Sequence, residues 1–298
     1  MANLRRLVQR RKAVRNIRKI TRTMELIATA KFKKALDRAT EAEAYTRKIS
    51  EIAADLTSAG GEADHPLLAK REQVKRCVIL IIGSNRGLAG GYNGGILRKA
   101  QERLREMQAA GIAYDVEVAG KKPLAYLRYQ RVPRQAEYTQ FEDKPAFEQV
   151  QPIADKYIEA FVTGQVDQVQ VVYMKFLNAA RQTPVVETLL PLSSVTPGET
   201  RKAKPGAAPA QTNVAYEFIP NATEILEAIV PVAFKQRLFK CFLDAAVSEQ
   251  IARRVAMKAA TENAQEMIKT LTRQYNRARQ AQITKEIAEV IGGAEALK

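Results

Sequence analysis

A single histidine, His65, and two cysteines, Cys77 and Cys241, are all this chain offers as imidazole and thiol groups. A zinc site needs three or four such ligands, so metal catalysis is not expected, and no nucleophile–histidine pair can be assembled without a suitably placed histidine or thiol. Two cysteines make no disulfide framework; both lie in apolar neighbourhoods, which fits a reducing compartment and unpaired thiols. His65 precedes Pro66 in a loop-like stretch and is expected to be solvated. Tryptophan is absent. No apolar run approaches the ~18–20 residues that cross a bilayer; the best, Cys77-Val-Ile-Leu-Ile-Ile82, has the length of a strand. No apolar stretch follows the basic N-terminus, so no secretory signal is expected.

The most telling absence is of helix breakers. Residues 4–56 contain neither proline nor glycine, and residues 232–291 contain neither. In the first stretch Leu7, Val14, Thr21, Ala28, Ala35, Ala42, Ile49 and Leu56 recur every seven residues, all apolar but Thr21. An apolar repeat of seven held this long predicts one helix of a coiled coil. At 1.5 Å per residue the two stretches would span roughly 75–80 Å and roughly 90 Å. Two such rods, far apart in sequence, bury their stripes by lying against each other. A chain of this kind is mechanical before it is enzymatic.

The composition leaves ample material for one ordinary core besides the rods. A net charge of +16 needs a reason. Nine cations, from Arg5 to Arg22, precede the first acid, Glu25. Such a segment suits a nucleic-acid patch, a helix lying on an anionic membrane, an organelle transit peptide, or simply a solvated coiled-coil face. The repeat continues past Glu25 without a change of composition, which argues against a cleaved leader. No zinc finger, helix-turn-helix or aromatic RNA-binding motif is present. What remains is a basic rod whose partner surface is acidic, with a coiled-coil nucleic-acid binder as the alternative.

Between the rods the period changes. Residues 77–82, 114–119, 169–176 and 184–190 are expected as strands, and residues 96–110, 122–129 and 147–161 as helices. Their alternation implies a small α/β layer of mostly parallel strands. Residues 196–212 are rich in proline, alanine and glycine and are expected to form a mobile loop; residues 214–219 are a candidate edge strand. Pro220 and Pro231 bracket a short helix capped by Asn221, with Pro231 near the first turn of the long helix or at a kink. The expected organisation is an N-terminal coiled-coil helix (1–56), a linker (57–74), a central α/β domain (75–195), a flexible loop (196–213), an edge strand and short helix (214–231), and a C-terminal coiled-coil helix (232–298).

The glycine-rich segment 83–95, GSNRGLAGGYNGG, follows a strand and opens a helix, so its N–H groups are placed to cradle an anion. It lacks both G-x-G-x-x-G and G-x-x-x-x-G-K-[ST], since Ile96 stands where the lysine would be. A tight strand-to-helix connection explains the glycines without a ligand. A nucleotide-using enzyme built on this loop is the other class to be tested.

Several segments resemble the γ subunit of F-type ATP synthases. The C-terminal Ile283-Thr-Lys-Glu286-Ile-Ala-Glu289-Val-Ile-Gly-Gly293-Ala294 is similar to that family's signature. Ile17-Arg-Lys-Ile-Thr21-Arg-Thr-Met24-Glu25-Leu-Ile-Ala28 resembles its first-helix motif, Arg86-Gly-Leu-Ala-Gly-Gly-Tyr-Asn93 its R-G-L-C-G-G-x-N loop, and Ser248-Glu249 with Arg253 and residues 255–263 a further block. The resemblance spans the whole chain in order. Ala89 replaces the loop's cysteine, Asn85 an aspartate before the arginine, and Gln250 a common histidine.

The resemblance implies an antiparallel, left-handed coiled coil carrying a Rossmann-like α/β domain, acting as a rotor shaft without cofactor or catalytic residues of its own. The implied partners are the hexamer of three α and three β subunits, the ε subunit and the membrane ring of c subunits, with no nucleic acid. The implied place is the cytoplasmic face of a bacterial inner membrane, held there peripherally through the complex, in ATP synthesis and hydrogen-ion transport. The thiol switch of chloroplast relatives is not expected. Lys19, Thr21, Met24, Arg253, Gln280, Thr284, Glu286 and Glu289 match the positions that would bear on the hexamer.

Overall fold

The computed structural model describes residues 2–59, 65–69, 71, 73–192 and 222–295. Long helices stand at both ends, α1 (Ala2–Ala59) and α5 (Ala222–Glu295). Between them lie β1 (Arg76–Ile82), α2 (Tyr92–Ala109), β2 (Ala113–Ala119), α3 (Lys121–Tyr129), β3 (Ala136–Tyr138), α4 (Phe147–Val162), β4 (Gln168–Asn178) and β5 (Arg181–Leu190). The expected loop at 196–213 and the candidate strand at 214–219 lie outside the described residues.

The chain forms two compact units, one of Met1–Ala30 with Ala252–Lys298, the other of Lys31–Ile251. Each long helix therefore contributes to both units.

In the second unit the five strands are ordered β3-β2-β1-β4-β5. β1 runs parallel to β2 and β4, β2 parallel to β3, and β5 antiparallel to β4. β1 is buried on both faces, with Cys77 to Ile82 each at most 4% exposed, which is why it reads as an unbroken apolar run. Val78, Leu80 and Ile82 point into a cluster shared with Val150, Ile153, Tyr157 and Phe161 of α4 and Phe234, Leu238 and Phe242 of α5. α2 packs against the sheet as well, burying Ile96, Leu97, Ala100, Leu104 and Met107. α5 meets α1 within this unit through Ala35 and Ala39 against Leu243 and Val247, with Lys240 Nζ 3.7 Å from Glu43 Oε1.

Two expectations are corrected, and a third feature was not foreseen. No separate short helix ends at Pro231; α5 starts at Ala222 and passes straight through the proline. A mid-helix proline costs ~3 kcal/mol, but Leu226, Val230 and Phe234 form a stripe no more than 2% exposed, and burying such side chains returns roughly 1.5–3 kcal/mol each. The carbonyl that the proline leaves unpaired belongs to the exposed Glu227, on the water side. His65 is not solvated. It is 8% exposed, and its Nδ1 accepts the Leu67 N–H at 3.1 Å. Burial pushes its imidazole below the ordinary value, with Glu227 pulling the other way. The third is the short parallel strand β3, which no periodicity announced.

Candidate functional site

All eight candidate contact residues fall in the unit of Met1–Ala30 and Ala252–Lys298. Its two helix segments run antiparallel. Arg11 lies over the Tyr275 ring at 4.9 Å, Arg18 bonds Gln265, and Thr21 meets Thr261, so rising numbers on one helix face falling numbers on the other. Val14 packs with Ala264 and Leu271, flanked by Leu7 and Ile268. Ala28 is fully buried. The one polar member of the heptad series, Thr21, is 8% exposed, its Oγ1 lying 2.8 Å from Thr261 Oγ1 and 3.1 Å from the Arg18 carbonyl.

That geometry sorts the candidates. Thr21 is spent inside the seam and offers nothing to an outside partner. Met24 and Arg253 are half-buried, while Lys19, Gln280, Thr284, Glu286 and Glu289 are exposed. Glu286 accepts from Gln282 Nε2 at 2.9 Å, and Glu289 lies 3.5 Å from Lys285 Nζ. Both partners sit one helical turn away; such exposed pairs are worth only a few tenths of a kcal/mol, leaving the carboxylates available.

The unit also shows what motif matching missed. An open groove between its helices is lined by Arg18, Lys19, Arg22, Lys269 and Arg273, with only Glu262 and Glu266 opposing them. Exposed aliphatic residues stand along the same unit: Ile17, Ile20, Leu26 and Ile27 on α1, in sequence around the groove's Arg18, Lys19 and Arg22, and Ile283, Ile287, Val290 and Ile291 farther along α5, each at least 46% exposed. Exposed aliphatic residues gathered in number mark an interaction surface. The sequence signal was the run of apolar residues off the heptad positions.

In the other unit the glycine segment is a packed connection. A Cβ on Gly83 would meet Pro123 Cγ at 2.8 Å and Asn93 Oδ1 at 3.0 Å. Asn93 closes the loop, its Oδ1 accepting the Ser84 N–H at 3.0 Å and its Nδ2 donating to Ser84 Oγ at 2.7 Å. Asn85 reaches across to the β3–α4 connection. Its Nδ2 donates to the Thr139 and Phe141 carbonyls, and its Oδ1 accepts from the Lys121 N–H at 2.9 Å. An ionised aspartate would have no proton for the two carbonyls, so the amide of Asn85 suits a site that needs both a donor and an acceptor.

In open α/β sheets ligands sit beyond the carboxyl ends of the strands. Here α5 fills that place. The Tyr92 hydroxyl donates to the Ala245 carbonyl at 3.0 Å, and Ile82, Gly83, Ala119, Phe141 and Phe242 line a residual cavity of about 30 Å³. Small-molecule sites run to ~300 Å³ and above. The cavity is a tenth of that, and a nucleotide does not fit. Among the described residues no group of three or more histidine, cysteine, aspartate or glutamate side chains is placed to hold a metal, and no helix is long and apolar enough to cross a membrane. Both cysteines are buried and free. Burial pushes the Cys77 thiol up to about 12 and the Cys241 thiol well above its usual value, so neither is a ready thiolate.

The ATP synthase family profile matches residues 3–297. The ATP synthase gamma chain of Rhodopirellula baltica is 51% identical over 298 residues, covering all of both chains. The chain belongs to the ATP synthase gamma chain family. The gamma chain of Leptospira biflexa is 39% identical over 297 residues, again end to end. In fold the chain is similar to one from the Euglena gracilis mitochondrial ATP synthase (OSCP/F1/c-ring, rotational state 3), with a TM-score of 0.64, 17% identity, and 99% of this chain and 95% of that one covered. These gamma chains lend nothing to the nucleic-acid alternative.

Proposed function

We propose that this chain is the central rotor shaft of an ATP synthase, coupling rotation of a membrane ring to changes of nucleotide affinity in a catalytic hexamer. The observation that carries the proposal is the surface of the antiparallel helix pair formed by Met1–Ala30 and Ala252–Lys298. Among the described residues it exposes ten large aliphatic side chains along its length, and it carries a groove rich in cations. A surface that is both apolar and basic is built to be enclosed by a partner with apolar and acidic contacts. The partner is the hexamer of α and β subunits, met through Lys19, Met24, Arg253, Gln280, Thr284, Glu286 and Glu289. The α/β layer is the part that meets the ε subunit and the c-ring.

The chain itself is non-catalytic, a role supported by the plugged strand ends and the inert thiols. Its contribution is a contact energy that differs between the states of otherwise identical catalytic sites. It belongs peripherally at the cytoplasmic face of a bacterial membrane, held there by its complex, where its rotation accompanies hydrogen-ion transport. The test is reconstitution with the α and β subunits of the same organism. The expected result is a complex whose ATP hydrolysis depends on this chain and whose attached bead rotates in one direction. Failure to co-purify with the hexamer, or hydrolysis indifferent to the chain, would refute the proposal.

A further inference from the structure

In the Lys31–Ile251 unit one carboxylate joins three elements. Asp143 lies in the connection between β3 and α4. Lys31 Nζ of α1 bonds its Oδ2, Arg86 of the glycine segment lies 3.8 Å from the same oxygen, and Gln250 Nε2 of α5 donates to its Oδ1 at 3.0 Å. Gln250 is 1% exposed and its Oε1 has no hydrogen-bond partner, so within its side chain only the bond to Asp143 sets the amide's orientation. The connection carrying Asp143 is itself fixed. Asn85 holds the Thr139 and Phe141 carbonyls, and the Phe141 ring packs on Phe242 with centroids 4.5 Å apart.

Torque passing from a sheet to the helices lying on it is a shearing load. Apolar burial is non-directional and follows the area removed from water, so it opposes separation more than sliding. Charge-assisted hydrogen bonds are short and directional, and they oppose sliding as well. At Asp143 such bonds reach α1 and α5 from one rigid loop of the α/β layer. We propose that Asp143 is the clasp that couples the α/β layer rotationally to both long helices. The proposal rests on the rotor function above.

The test uses the assembled complex, with the catalytic sites held by a non-hydrolysable nucleotide and a bead attached to the α/β layer through Ala125→Cys. Thermal variance is inversely proportional to stiffness, and the variances of joints in series add, so halving the stiffness of this joint widens the bead's angular distribution by up to about 1.4-fold. Asp143→Ala is expected to produce a widening of that order. Asp143→Asn, isosteric and safer for folding, keeps the acceptor for Gln250 and widens the distribution less. Lys31→Met widens it alone but adds nothing on top of Asp143→Ala, because the two remove one interaction. Wild-type widths in both Asp143 variants, or widening by Lys31→Met that adds fully to that of Asp143→Ala, would overturn the clasp. A wild-type chain that drives no rotation overturns the rotor function itself, and the clasp with it. A turning wild-type complex with unaltered variants overturns the clasp alone.

Discussion

Asp244 is a carboxyl group placed where ionisation is costly. It sits on α5, 6% exposed, near Glu43 of α1, Lys240 of α5, Lys175 of β4 and Glu187 of β5. Desolvation, with Glu43 and Glu187 adding repulsion and Lys240 and Lys175 opposing, moves its pKa from 3.8 to about 7. Nearby Glu187 behaves oppositely. Burial alone would raise it, but Lys175, the Tyr173 hydroxyl and Arg237 outweigh burial and hold it below the usual range. For Asp244 the folded state keeps its proton longer than the unfolded state does. Stability is therefore fully present below about pH 4, falls as pH rises, and reaches its floor above about pH 7.

Asp244→Asn removes this titration while keeping the shape. At ~1.4 kcal/mol per pH unit, linkage alone makes the asparagine variant more stable by about 2 kcal/mol at pH 5 and about 4 kcal/mol at pH 8. Urea unfolding of both proteins at the two pH values measures the gap. An asparagine variant no more stable than wild type at pH 8, or a gap that fails to widen between pH 5 and pH 8, would refute the reasoning.

Glu117 is fully buried, bonded by Lys156 and by the Tyr138 and Tyr157 hydroxyls, each hydroxyl at 2.8 Å. Glu117→Ala strands these donors and is expected to cost about 3 kcal/mol, read as a lower guanidinium midpoint; an unchanged midpoint would show the network to be idle. Gly120 has φ +111°, and a Cβ there would lie 2.4 Å from the Gly83 carbonyl oxygen. Gly120→Ala should therefore destabilise by at least about 3 kcal/mol and yield little soluble protein. Normal yield and stability would mean that the two segments can move apart cheaply. Under the proposed contact of Arg253 with an acidic face of the hexamer, Arg253→Glu is expected to replace attraction with repulsion, a change of about 2–5 kcal/mol in the contact. The complex should still assemble, with less proton pumping per ATP hydrolysed; a wild-type ratio in reconstituted vesicles would leave Arg253 without a coupling role.

What was legible in the sequence follows from periodicity. Residues 4–56 announced α1 because nothing in them interrupts a helix, and the heptad series marks the seam down to its one polar member, Thr21. β1 was legible because burial on both faces leaves six apolar residues in a row. Pro231 misled because the cost of a proline is visible in one residue, whereas the stripe that offsets it depends on what the sheet presents to Leu226, Val230 and Phe234. β3 is three residues long, too short for any period. His65 looked like a loop residue because nothing local reveals that the loop is packed. The family motifs that supplied the eight contact candidates all fall in one unit, yet they do not say which side chains face outward. Thr21 carries the motif and is buried; Arg22 and Lys269 line the groove. Lys31, Arg86, Asp143 and Gln250 meet only because the fold brings them together from distant parts of the chain.

The small residues along the seams have a mechanical consequence. Ala28 in one unit is fully buried, and Ala35 and Ala39 in the other, 3% and 6% exposed, are buried against α5. Alanine has no side-chain torsion to turn. A seam of leucines or methionines takes up small displacements by rotamer changes before the neighbouring backbone feels them, which a machinist would call backlash. Where Ala35 and Ala39 meet Leu243 and Val247, only the α5 side keeps torsions, so that play is reduced and a small turn of one helix reaches the other sooner.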